Sequence, residues 1–143
     1  MKGFVYFILA LGRERTAVKI GYTNSSPHKR LKSLQTGSSA ELMLVAVIEG
    51  DVSLERALHA TFNAVHSRGE WFLLSGRLFS LVAALHASTD RGSKPIGVAT
   101  FRAVCDKYLF DPVPLVIAEG EDDERWHLTA DVGHLMQWFE LRG

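Results

Sequence analysis

Few side chains in this sequence are placed to do chemistry. Tyr6 and Lys19 stand in two apolar stretches, Lys29, Arg30 and Lys32 form a basic cluster, and Glu55 and His59 are four residues apart. Taken singly, each has an ordinary use. A tyrosine in an apolar strand is a core aromatic with its hydroxyl at the edge, exposed lysines and arginines are solvated, and a Glu four residues before a His pairs along a helix flank. A basic cluster is also what a phosphate-binding face requires. Six histidines and one cysteine show no CxxC or HxxxH spacing, so no zinc site is implied. No GxGxxG or Walker loop is present, so no nucleotide cofactor is implied either.

The elements that must position these groups follow from periodicity and capping. Residues 4–11 (FVYFILAL) and 17–23 (AVKIGYT) read as a β-hairpin. Ser25, Ser26 and Pro27 open a helix of about ten residues with Leu31 and Leu34 on its apolar stripe, and Gly37 stops it. Residues 42–48 (LMLVAVI) form a continuous apolar run that suits a central strand covered on both faces. Asp51 caps a second helix, in which Leu54, Leu58, Phe62 and Val65 form the buried stripe and Glu55 and His59 flank it. Residues 70–74 read as a short strand or turn, with Glu70 a turn partner and Trp71 and Phe72 core anchors. A helix follows over about 77–87. Residues 88–95 (STDRGSKP) look like a linker. Beyond it, Phe101, Val104, Cys105, Tyr108 and Leu109 have helical spacing, residues 113–118 and 125–129 read as a hairpin, and residues 131–141 as a last helix.

The 143 residues suffice for one ordinary domain or a small domain with an appendage. With 47% hydrophobic and 22% charged residues the composition is that of a folded soluble chain. The single Cys105 excludes an internal disulfide and favours a reducing compartment. No apolar run reaches the roughly 18 residues of a membrane span. The expectation is a cytoplasmic protein without membrane contact.

The first half resembles the GIY-YIG nuclease superfamily, in particular its phage and bacterial branch with a KIG second signature and a Glu-Trp-Phe closing motif. Phe4-Val5-Tyr6 stands at the first signature, Lys19-Ile20-Gly21 at the second, Arg30 on the following helix, Glu55 at the metal-binding glutamate, and Gly69-Glu70-Trp71-Phe72 at the close. The resemblance implies an endonuclease hydrolysing DNA phosphodiester bonds with one divalent ion, Mg²⁺ or Mn²⁺, RNA remaining open as a substrate. It assigns catalysis to Tyr6, Lys19, Arg30 and Glu55, with Glu55 holding the metal, because a single hard carboxylate completed by waters and phosphate oxygens suits such a cation. Tyr6 would position or deprotonate water, its pKa lowered by a neighbouring Lys19 ammonium, and Arg30 would clamp the phosphate bidentately. Tyr22 and His59 are possible auxiliaries, and Lys29, Arg30 and Lys32 the nucleic-acid-binding set. Lys19 replaces the signature tyrosine, and Leu34 stands where active members often carry a His or Tyr. These departures keep an alternative open: a catalytically silent accessory factor of phage or mobile-element origin that binds nucleic acid or a protein.

The implied architecture is α+β: a small three-stranded antiparallel sheet flanked by helices over residues 1–88, then an α-β-β-α extension over 89–143. Sixteen basic residues balance sixteen acidic ones, yet residues 1–74 hold nine against six while residues 75–143 hold seven against ten. A balance of +3 beside −3 leaves room for DNA on the first half. The acidic run at 119–124 (EGEDDE) reads as a solvated turn, with a sharper alternative in which it mimics phosphates and restrains the basic face. A protein partner or self-association through residues 89–143 is equally compatible.

Overall fold

A computed structural model describes residues 3–12, 16–110 and 130–142. Two long strands, β1 (Gly3–Leu11) and β2 (Ala17–Thr23), form the predicted hairpin. Next come α1 (Pro27–Thr36), β3 (Glu41–Gly50) and α2 (Val52–Thr61). A small hairpin, β4 (His66–Arg68) and β5 (Trp71–Leu73), precedes α3 (Gly76–Ser88), α4 (Val98–Tyr108) and α5 (Gly133–Leu141).

The sheet has five antiparallel strands in the order β3-β1-β2-β5-β4. This corrects the expected three. Strands β4 and β5 have three residues each: β5 falls within the short strand or turn expected at 70–74 and pairs with β2, whereas β4, paired with β5, is too short to display a period. The apolar run of β3 is buried except at Met43, which is exposed, and β3 lies at the sheet edge rather than its centre. An extra residue, Val45, interrupts its register with β1. The Val45 carbonyl accepts hydrogen bonds from His86 Nδ1 at 3.0 Å and Thr89 Oγ1 at 3.2 Å, so the bulge leaves no orphan acceptor.

Alternation along β1 and β2 gives the sheet two unlike faces. On one, Val5, Phe7, Val18 and Ile20 join the main core with Leu54, Leu58 and Phe62 of α2, Leu78 and Leu81 of α3, Phe101 of α4, and Leu135 and Phe139 of α5. Each large side chain wholly buried there contributes about 1.5–3 kcal/mol relative to exposure. On the other, Tyr6, Ile8, Leu42, Leu44 and Val47 form a smaller cluster that Leu31 and Leu34 of α1 cover.

Residues 88–95, read as a linker, are a packed turn. Thr89 is fully buried and donates to the Leu85 carbonyl at 2.8 Å. Gly92, at φ +84°, lies against the Leu44 carbonyl, where a Cβ would stand 2.7 Å from the oxygen. Ile96 then bridges Ile48 in parallel fashion at the β3 edge. The sequence reading failed here because polar, turn-forming residues mark a bend whether or not its backbone is buried.

Helix α5 runs antiparallel along α2. At one end the Asp131 N–H donates to the Thr61 carbonyl at 2.8 Å. At the other, Trp138 Nε1 donates to Ser53 Oγ at 3.0 Å, and Arg142 pairs with Asp51 at 3.1 Å while stacking over Trp138 at 3.9 Å. The strands expected at 113–118 and 125–129, and the acidic run 119–124, lie outside the described residues.

Candidate functional site

The centre of the site is a close approach between two strands. Tyr6 pairs with Gly21, and its ring folds across the partner strand so closely that any Cβ on Gly21 would collide with the phenol. Gly21 is therefore a packing requirement of Tyr6. The ring is 2% exposed, and burial first, then the charge of Glu70, pushes the phenol pKa up to about 12, with Glu55 adding to the rise and Arg30 opposing it. The expected lowering by Lys19 is thus overturned: desolvation wins, and the Lys19 ammonium is committed elsewhere. Tyr6 carries its proton at neutral pH.

Lys19 stands opposite Trp71 across the β2–β5 pair. Its Nζ lies 2.7 Å from Glu70 Oε2 and 5.7 Å from the centre of the Trp71 ring, and the side chain is only 14% exposed. Glu70 is held in turn through its backbone, whose carbonyl accepts from Ile20 N–H at 3.0 Å. Gly69, at φ +55°, supplies the turn that delivers it. Glu70, expected as a turn partner within the closing motif, is also the ion-pair partner of Lys19. Its signal was present: an acid just after a turn glycine and next to a strand residue that must face a lysine.

Beyond Ile20 this edge of β2 has no strand partner among the described residues. Helix α2 covers it with its flank. His59 Nε2 donates to the Ile20 carbonyl at 2.7 Å, the acceptor that the end of β5 leaves over, and its ring meets Phe72 edge-on at 5.0 Å. One turn earlier, Glu55 is half-buried. Burial and the Glu70 charge raise its pKa, against lowering by His59 and Lys19. The capping of α2 by Asp51, which accepts from the N–H groups of Ser53 and Leu54, sets where Glu55 falls.

Arg30 comes from α1. Ser26 caps that helix by accepting from Lys29 N–H at 3.3 Å, and Gln35 pins it to the start of β3, donating to Ala40 O and accepting from Leu42 N, both at 2.8 Å. Leu34 packs beside the Tyr6 cluster, supporting α1 rather than offering a polar group. Arg30 is exposed and has no carboxylate partner among the described residues, though it acts electrostatically on Tyr6. Lys29 and Lys32 are exposed on the same helix, and Lys32 borders a shallow hollow with His28, Leu31, Gln35 and Leu42.

Tyr6, Lys19, Arg30, Glu55 and Glu70 therefore form one electrostatically coupled group. Tyr22 does not join it: paired with Val5, it lies on the opposite face, its ring over Gly3. No set of three His, Cys, Asp or Glu residues among those described is arranged to hold a metal by itself.

These features define a small α+β domain whose central hairpin, flanked by the basic helix α1 and by α2 with its Glu55, gathers a phenol, two cations and two carboxylates. The T5orf172 domain, a phage-associated domain, matches residues 3–87, more than half of the chain, and the chain belongs to that family. This corrects the GIY-YIG resemblance drawn from short motifs, since the family matched is T5orf172. No curated protein and no solved structure matches the chain. Among the described residues no helix is long and apolar enough to cross a membrane.

Proposed function

We propose that the protein is an endonuclease that hydrolyses DNA phosphodiester bonds with one divalent metal ion, Mg²⁺ or Mn²⁺. The observation that carries this reading is the coupling of Tyr6, Lys19, Arg30, Glu55 and Glu70 around one hairpin, with Arg30 exposed beside Lys29 and Lys32. Membership of a phage-associated family is compatible with a nuclease-like or DNA-binding role.

The donor chemistry fits a hard cation. Glu55 is half-buried, burial first and then the Glu70 charge disfavour its ionised form, and a cation beside it would offset both; its oxygen donors match Mg²⁺. Glu55 would hold the ion, with the substrate completing its shell. Bound there, such a cation supplies Lewis-acid stabilisation and an acidified water. Arg30 would clamp the scissile phosphate through paired N–H groups and offset charge developing on it. Tyr6, being protonated, would donate a hydrogen bond that orients water or phosphate, rather than take a proton.

The test is nicking of supercoiled plasmid with Mg²⁺ or Mn²⁺. Glu55→Ala and Arg30→Ala should each lower the rate by about 10²-fold or more, with circular dichroism unchanged. Activity surviving both substitutions would move the chemistry to another site. A second reading, a non-cleaving accessory factor that binds nucleic acid or protein, is favoured by the neutralisation of Lys19 by Glu70. Retained DNA binding without cleavage of DNA or RNA would establish it instead.

A further inference from the structure

Within the phosphodiesterase reading, on which this inference rests, Lys19 presents a difficulty. A lysine that meets substrate phosphate must offer a free ammonium, yet its Nζ is 2.7 Å from Glu70 and the side chain is 14% exposed. The pairing is built rather than incidental. Glu70 is tied by its backbone to Ile20, the residue after Lys19, and Trp71, its other neighbour, faces Lys19 across the sheet and puts a ring 5.7 Å from the ammonium. Lys19 and Glu70 are thus brought together by the same three-residue ladder that ends β5. Arg30, by contrast, is exposed and has no carboxylate partner among the described residues.

We propose that Glu70 is a positioning residue that stands in for the substrate phosphate, holding the Lys19 ammonium in place in the empty site and yielding it when a phosphodiester docks between Lys19 and Arg30. A carboxylate suits this use because it is singly charged, like a phosphodiester, and accepts the same N–H···O contact. At 40% side-chain exposure Glu70 has solvent to turn into once released, whereas Lys19 has little. Selectivity follows, since a ligand must bring its own anion of comparable strength to displace Glu70.

Exchange of one carboxylate for one phosphate has a signature in salt dependence. A freed Glu70 takes up a cation as DNA releases one, so in the wild type the Lys19 contact adds almost nothing to the salt slope. In Glu70→Gln no such uptake occurs. Binding of the full-length protein to duplex DNA, in EDTA so that cleavage and metal play no part, should then become about tenfold tighter at low salt. The plot of log K against log salt should also steepen by about 0.9, the increment for one phosphate contact. Glu70→Asp, which keeps the charge, should retain the wild-type slope, separating charge from shape. Equal slopes for wild type and Glu70→Gln would overturn the proposal, as would weaker binding by Glu70→Gln, which would make Glu70 only a prop for Lys19. If neither protein binds DNA in EDTA and the wild type does not nick plasmid with Mg²⁺ or Mn²⁺, the phosphodiesterase reading falls first and this inference with it; nicking without such binding overturns this inference alone.

Discussion

At the scale of single residues, the site is a set of groups held in unfavourable states. Glu55 is the clearest. Its pKa is raised by burial and by Glu70, so its folded-state value exceeds the unfolded one, and any contribution it makes to stability is present in acid and lost as pH rises through the folded value. Glu55→Gln should therefore raise the melting temperature by a few degrees at pH 7, and the gain should vanish below about pH 4, where the wild-type carboxyl is protonated in both states. A second check uses the metal: with duplex DNA present to complete the shell, 10 mM Mg²⁺ should stabilise the wild type against heat and leave Glu55→Gln unmoved, because a cation that binds only the folded chain shifts its melting by mass action. Tyr6, raised to about 12, should contribute no ionisation through about pH 10.5, read as the ultraviolet difference between wild type and Tyr6→Phe titrated side by side. Tyr6→Phe should also cut nicking.

At the scale of elements, the hairpin and its two flanking helices are mutually specified. Tyr6 can lie across β2 only because position 21 has no side chain. Gly21→Ala should displace the ring, destabilise the fold by about 1–3 kcal/mol as an overpacked core does, and lower activity more than Gly37→Ala, whose added methyl meets nothing closer than 4.0 Å. Denaturant midpoints and nicking rates for the two variants make the comparison. The same packing explains how the motif order misled: a tyrosine over a glycine and an acid after a turn glycine are packing and turn demands of this hairpin, and fragments that short do not fix a family. Helix α1 was legible from Ser26, Pro27 and Gly37, and α2 from Asp51 and its apolar stripe. Strand β5 lies in the short strand or turn read at 70–74, but β4 was not legible, since residues 66–68 are exposed and no alternation can be read in three positions.

At the scale of the whole molecule, α4 and α5 share the core of the motif-bearing half. Phe101, Leu135 and Phe139 are buried in the same cluster as Val5 and Leu54, and Phe101 and Phe139 meet at 5.5 Å between ring centres. Phe139→Ala should cost about 3–5 kcal/mol, measured by urea unfolding. A chain ending at residue 88 should lose its cooperative transition, for it would uncover that face of α2 and with it the support of Glu55. Removing residues 89–143 is thus unsuited to asking whether the acidic run 119–124 restrains the basic face. Charge-neutralising substitutions within the run ask that without opening the core.

The amino-acid sequence by itself determined the order and kind of the long elements, because apolar spacing, caps and turn residues act within a few positions along the chain. It also marked Tyr6, Lys19, Arg30 and Glu55 as the groups worth following. Tertiary structure alone decided what state those groups are in. That Lys19 is neutralised, that Tyr6 keeps its proton, that His59 serves a backbone carbonyl, and that Glu70 belongs to the site all depend on which strand ends where. Burial and pairing are properties of neighbours brought together from distant positions, here residues 6, 20, 55 and 70, and no local pattern in the chain encodes their separation in space.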